Sequence, residues 1–152
     1  MAVAFPVIVN SLLYALIFIA YHKFKNFLGT YWGFAFLISI WMSFEKFHLT
    51  WELTWPWLNL GNAFSEYPKL IQWYDTLGAT GGSLWVLVVN VFVYYSFRTW
   101  QAGRKRAALL KNLAVLLVMI LFPMAISYSQ YQSFDEKPLA EISVLMLQPD
   151  LD

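Results

Sequence analysis

Long uncharged apolar stretches separated by short polar connections set the pattern of this chain. Four stretches are long enough to cross a bilayer core of about 30 Å, which takes roughly 20 helical residues. They cover residues 5–22, 27–44, 77–97 and 113–130, the last with a possible earlier entry through residues 107–110. A soluble helical bundle would show polar faces at a period near 3.6 residues. These stretches are apolar nearly all round, and lipid cannot satisfy an open backbone, so each is predicted to be a membrane helix. The fold expected is an all-α membrane domain over residues 1–130, with about four transmembrane helices. An external loop with an interfacial helix joins the second span to the third. Residues 131–152 read as an external linker and one strand, because EISVLMLQPDLD carries a Val-Leu-Met-Leu run before a Gln-Pro turn.

Composition agrees with the pattern. The chain is 60% hydrophobic, 20% aromatic and 12% charged, with a mean hydropathy of +0.54. A soluble domain carries about 25% charged residues. The net charge of +1 gives no reason to expect nucleic acid as a partner. The absence of cysteine excludes a disulfide, a thiolate metal site and a cysteine nucleophile within these 152 residues. The opening MAVAFPVIVN lacks the basic segment of a signal peptide.

Charge then sets direction. Lys23 and Lys25 fall between the first two spans. Arg98, Arg104, Lys105, Arg106 and Lys111 fall between the last two, so these two loops hold seven of the ten basic residues. By the positive-inside rule both loops are cytoplasmic. All nine acids fall on the other side, from Glu45 and Glu52 to Asp150 and Asp152. Both termini are therefore expected outside. A first span that starts outside with almost nothing before it implies upstream spans, so the chain is expected to be a piece of a longer protein. The Arg104-Lys105-Arg106 cluster reads as a topology signal on anionic headgroups.

The connection from Glu45 to Gly82 is too long for an ordinary loop. It holds TWELTWPWLNLGN, with three tryptophans in seven residues. Trp41, Trp51, Trp55, Trp57 and Trp73 fit an aromatic belt at headgroup level, where an indole has one apolar side and one wet N–H. SEYPKLIQWYDTLG fits a helix in the interface plane. Glu45 and His48 form Glu-x-x-His, a metal-ligand spacing. A di-iron bundle needs two such motifs and further carboxylates, and the other histidine, His22, falls at the opposite face. Glu45 and Glu52 are two helical turns, about 10 Å, apart, which is wide for an acid/base pair. Glu45 is expected to anchor the outer boundary or to pair with Lys46. Asn90, inside the third span, is expected to bond a neighbouring helix. Gly78, Gly81, Gly82 and Ser83 are expected to let another helix approach closely. Pro123 should bend the last span.

The block FEKFHLTWELTWPWLNLGNAFSEYPKLIQWYDTLGATGGSLWVLVVN resembles bacterial apolipoprotein N-acyltransferase. In that family a helix bearing a glutamate leads into a (Trp/Phe)-Pro-Trp-x-x-(Leu/Phe)-Gly turn. Here these are Glu45, Trp55, Pro56, Trp57 and Leu60-Gly61. A glycine-rich helix entry with an internal Asn follows, matching Gly78, Gly81, Gly82 and Asn90. The terminal VLMLQPDLD resembles the first strand of the family's nitrilase-like, carbon-nitrogen hydrolase domain. The resemblance implies a multi-pass enzyme of the bacterial inner membrane that matures lipoproteins. Its partners would be a phospholipid acyl donor, typically phosphatidylethanolamine, and a diacylglyceryl-lipoprotein acceptor. It implies no cofactor and a Glu-Lys-Cys triad with a thioester intermediate. No position here can carry that triad, so no catalytic residue is assigned and the chain alone is expected to be inactive. Trp55, Pro56, Trp57, Glu45 and Glu52 are the candidate lipid-entrance residues. A non-enzymatic membrane scaffold or transporter fragment is the alternative. A transporter would place broken helices and polar groups at the midplane, where Asn90 is the obvious candidate.

Overall fold

The computed structural model describes residues 4–52, 54–103 and 106–134. The order is one long helix, α1 (Ala4–His48), three short 3-10 turns (Pro56–Leu58, Leu60–Phe64 and Pro68–Leu70), then α2 (Tyr74–Gln101) and α3 (Arg106–Ser133). All three α-helices are long and apolar enough to cross a membrane. Among the described residues there is no strand. The predicted C-terminal strand lies outside the described residues, as do Arg104, Lys105, Asp150 and Asp152.

A straight helix of 45 residues would reach about 67 Å. Instead α1 breaks at Gly29, whose φ of 82° lies in the left-handed region open to glycine. The two arms fold back on each other. Ring centroids of Tyr14 and Trp41 lie 5.3 Å apart, Tyr21 and Phe34 5.7 Å, and Phe24 and Phe36 4.0 Å. Gly33 permits the approach: a Cβ there would come within 2.8 Å of the Lys25 Cβ. This corrects the expected loop over residues 23–26. Lys23, Lys25 and Asn26 continue the helix, because no residue before Gly29 breaks it.

The hairpin meets α2 at the end near Gly29 through Phe34, whose ring lies 5.0 Å from Tyr94 and 5.7 Å from Tyr95. Lys23, Lys25, Arg98 and Arg106 are thus gathered at one end of the bundle, and the 3-10 turns at the other.

The joint between α2 and α3 has a specific origin in the sequence. Pro123 has no N–H, so the carbonyl of Met119, four residues earlier, lacks its helical donor. The Trp85 indole N–H supplies that bond at 2.8 Å. The helix passes through Pro123 with its freed acceptor satisfied from α2.

Few apolar side chains are buried. Ile17 and Leu87 are, while Phe5, Ile8, Leu16, Leu113, Val118 and Phe122 face outward. Such a surface suits a bilayer rather than water as the surrounding solvent.

Three expectations are corrected. Asn90 is exposed and donates to the Val86 carbonyl of its own helix at 2.8 Å, not to a neighbour. An amide placed four residues from a carbonyl satisfies itself locally. The small-residue run holds the Leu60–Phe64 3-10 turn, through Ser83, rather than a long helix. Gly78 is a break in α2, with φ of 66°, and Gly82 leaves room for the Tyr74 ring. Finally, residues 65–78 do not form one interfacial helix. Pro68 starts a 3-10 turn of three residues, and Ile71, at φ −125°, ends it.

Candidate functional site

The site is built around the Trp55–Gly61 turn. Pro56 has the fixed φ that suits the first position of a helical turn, and Pro56–Leu58 forms a 3-10 turn there. The Asn59 N–H and the Asn62 side-chain N–H both donate to the Pro56 carbonyl. Asn59 then turns extended, and Leu60–Phe64 forms the next 3-10 turn.

Leu60 and Gly61 are held from two sides. Glu45, only 3% exposed near the end of α1, accepts from the Leu60 N–H at 2.9 Å and from the Trp41 indole at 3.0 Å, both on Oε1. From α2, Ser83 Oγ accepts from the Gly61 N–H at 2.8 Å. The Tyr74 hydroxyl donates to the Gly61 carbonyl at 3.0 Å. Gly61 is required by space: a Cβ would sit on the Ala79 carbonyl oxygen. Tyr74 can reach back along α2 because Gly78 redirects the helix and Gly82 has no side chain.

A groove of about 380 Å³ lies beside this turn. One wall is the first arm of α1, with Pro6, Asn10 and Tyr14. The other is Trp55, Trp57 and Leu58. Trp57 is 66% exposed and forms a rim, while Trp55 is half-buried. A second apolar groove, of about 530 Å³, runs between α2 and α3 past Trp73, Trp85 and Pro123.

Glu45 therefore does not anchor the boundary in solvent and forms no ion pair with Lys46, which is exposed. Its neighbour His48 is buried as well, with its ring 5.2 Å from Phe44 and 6.4 Å from Trp55. Glu52 is not part of this arrangement. The helix ends at His48, the backbone turns through Leu49 and Thr50, and Glu52 is exposed beyond it. His22 lies on the first arm toward the Gly29 end, 3.1 Å from Asn26. Of the tryptophans assigned to a belt, Trp41 and Trp73 are half-buried against other rings: Trp41 stacks on Tyr14, and Trp73 packs on Trp85 at 5.9 Å. The Trp73 N–H reaches the buried Ser127 hydroxyl at 3.3 Å.

Sequence reasoning missed Tyr74 and Asn10 and undervalued Ser83. A signal existed for Asn10. Asn10 and Tyr14 are four apart and share a helical face.

Together these features define a bundle of membrane-length helices with an apolar groove at one end, walled by a clamped Trp-Pro-Trp turn. The chain belongs to the apolipoprotein N-acyltransferase family: residues 1–92 match the family model described as "Apolipoprotein N-acyltransferase N-terminal domain". That segment contains the hairpin, the turn and most of α2. The chain is also similar to the apolipoprotein N-acyltransferase of Chlorobaculum tepidum, with 25% identity over 147 residues. The similarity covers 96% of this chain and 27% of that relative. No solved structure matches.

Proposed function

We propose that this chain forms part of the membrane domain of an apolipoprotein N-acyltransferase of the bacterial inner membrane, and that its groove receives an acyl chain of the phospholipid donor. The observation that carries the reading is the groove itself. It is apolar, opens among outward-facing lipid-compatible side chains, and is rimmed by Trp57 at the acidic end of the bundle. An indole suits that depth, with its ring in hydrocarbon and its N–H near water. The acyl group would pass from the phospholipid ester to the amino group of a diacylglyceryl-cysteine lipoprotein. The thioester implied by the family resemblance requires a cysteine, and this chain has none, so the transfer chemistry is proposed to belong to residues outside it. A transporter reading gains nothing from Asn90, whose amide is spent on its own helix.

Photo-cross-linking tests the groove. The chain is placed in nanodiscs with a phospholipid carrying a diazirine on one acyl chain and is irradiated. Adducts should concentrate in peptides spanning residues 4–14 and 55–58. Labelling spread evenly over the outward faces, such as residues 113–122, would overturn the proposal.

The proposal includes an orientation: the Gly29 turn and the connection between α2 and α3 face the cytoplasm, and the Trp-Pro-Trp turn faces the periplasm. It follows from the gathering of Lys23, Lys25, Arg98 and Arg106 at one end. Reporter fusions after Arg106 and after Ser133 should report opposite sides. Equal signals would reject it.

A further inference from the structure

We infer that Glu45 is a positioning residue that sets the width of the groove, acting through the Leu60 N–H on the Trp55–Leu58 wall. The inference rests on the reading of the groove as the lipid site, but its test does not.

The groove has two walls that belong to different parts of the chain. The Pro6–Tyr14 wall is the first arm of α1, and the opposite wall is an irregular turn. Three-residue 3-10 turns have little stability of their own. The turn therefore keeps its place through what grips it. On the α2 side the grip is Ser83 and Tyr74 on Gly61. On the α1 side it is Glu45, one residue earlier, on Leu60. These two grips oppose each other across a single peptide unit. Loss of the α2 grip would leave the turn fastened to the hairpin. Loss of Glu45 would leave it fastened to α2, with the Trp55–His48 ring contact as its remaining tie to α1, and able to move away from Asn10 and Tyr14.

Glu45 is itself well fixed. The Trp41 indole donates to the same oxygen that accepts from Leu60, and Trp41 is stacked on Tyr14, a groove residue. One carboxylate oxygen thus links a side chain behind the first wall to the backbone of the second. An N–H bond to a carboxylate is roughly twice as strong as a neutral one, and burial at 3% exposure keeps water from competing. The backbone donor also makes the clasp testable from both ends. Asn59 is extended, at φ −66° and ψ 136°, which is the conformation a residue before proline prefers. Leu60 is the first residue of its 3-10 turn, where proline is tolerated. Leu60→Pro therefore deletes the N–H while suiting the local backbone.

The chain lacks cysteine, so introduced cysteines label uniquely. Spin labels at Leu12→Cys and Leu58→Cys report the distance between the α1 arm and the Trp55–Leu58 wall. Labels at Val88→Cys and Val118→Cys report α2 against α3 as a control. All four positions are exposed. Measured by pulsed electron resonance on the full chain in nanodiscs, the 12–58 pair should give one narrow distance peak. Glu45→Leu should broaden it and shift it outward while the 88–118 peak is unchanged. Glu45→Gln, whose amide oxygen can accept both bonds, should restore the narrow peak. Leu60→Pro should reproduce Glu45→Leu. If Glu45→Leu also broadens the control pair, it has lost the fold, and Leu60→Pro decides. An unchanged 12–58 peak in Leu60→Pro with an intact control would overturn the inference. So would a broad peak in Glu45→Gln with an intact control. No lipid or activity enters this measurement, so failure of the clasp stays separate from failure of the groove as a lipid site.

Discussion

Gly61→Ala should destabilise this protein more than any other addition of a single methyl group at its described glycines. The added Cβ would fall on the Ala79 carbonyl oxygen, with the Ala79 carbonyl carbon and the Ser83 nitrogen close behind. These are backbone atoms of α2 and cannot rotate away. Overpacking of a tight site costs about 1–3 kcal/mol and occasionally more, and Gly61→Ala belongs at or above the upper end. The displacement also pulls on three hydrogen bonds at once: Leu60 to Glu45, Gly61 to Ser83 and Tyr74 to Gly61. Gly103→Ala is the comparison, because nothing lies within 4 Å of a Cβ there and only the positive φ of 63° opposes it. It should cost clearly less. Thermal unfolding of both variants in one detergent checks the order. Equal melting temperatures would mean that the turn is not seated on α2 as described.

Much of this architecture could be read from the residues, and the part that could not has a common physical cause. The four predicted spans fall within three long helices, the first two as the arms of α1, because lipid solvent demands helices wherever charge is absent. Gly29 was harder, since one glycine among helix formers signals a break only when the two arms are known to pair through rings such as Tyr14 and Trp41. The Trp-Pro-Trp turn was visible as a motif, yet its neighbours were misread. Glu45 was assigned to the boundary because carboxylates usually stay wet. Its burial depends on a backbone N–H fifteen residues away, and no local pattern carries that information. Asn90 failed in the opposite sense: an amide that looked suited to an inter-helix bond was satisfied four residues back. Trp85 is the same kind of case, because its role appears only when the carbonyl freed by Pro123 is followed across to α2. Long-range donors and acceptors decided Glu45 and Trp85, a local acceptor decided Asn90, and uncharged apolar length decided the helices.

The second large effect concerns the groove wall. Trp57 is mostly exposed, so Trp57→Ala should leave thermal stability in detergent nearly unchanged. Trp55 is half-buried against His48, and Trp55→Ala should lower stability moderately. Pro56→Ala frees the φ that proline holds near about −65° and loosens the turn that presents both indoles. Each ring removes a surface on the order of 150–250 Å². If that surface guides an acyl chain, its loss should slow transfer far more than it lowers stability. Trp→Phe at either position keeps much of the apolar area and should recover most of the rate. Trp100→Ala is the control, an exposed indole at the opposite end of the bundle that should leave the rate unchanged.

The measurement that bears most directly on the lipid-entrance reading is turnover with a phospholipid donor, in the enzyme of which this chain is proposed to be a part. It is made for Trp55→Ala, Pro56→Ala, Trp57→Ala and Trp100→Ala, with melting temperatures taken in the same detergent. The account predicts at least a tenfold loss of turnover in Trp57→Ala, about 1.4 kcal/mol of barrier, at unchanged stability, and no loss in Trp100→Ala. Parent-like turnover in all three turn variants would contradict it and reduce the Trp-Pro-Trp turn to an aromatic belt.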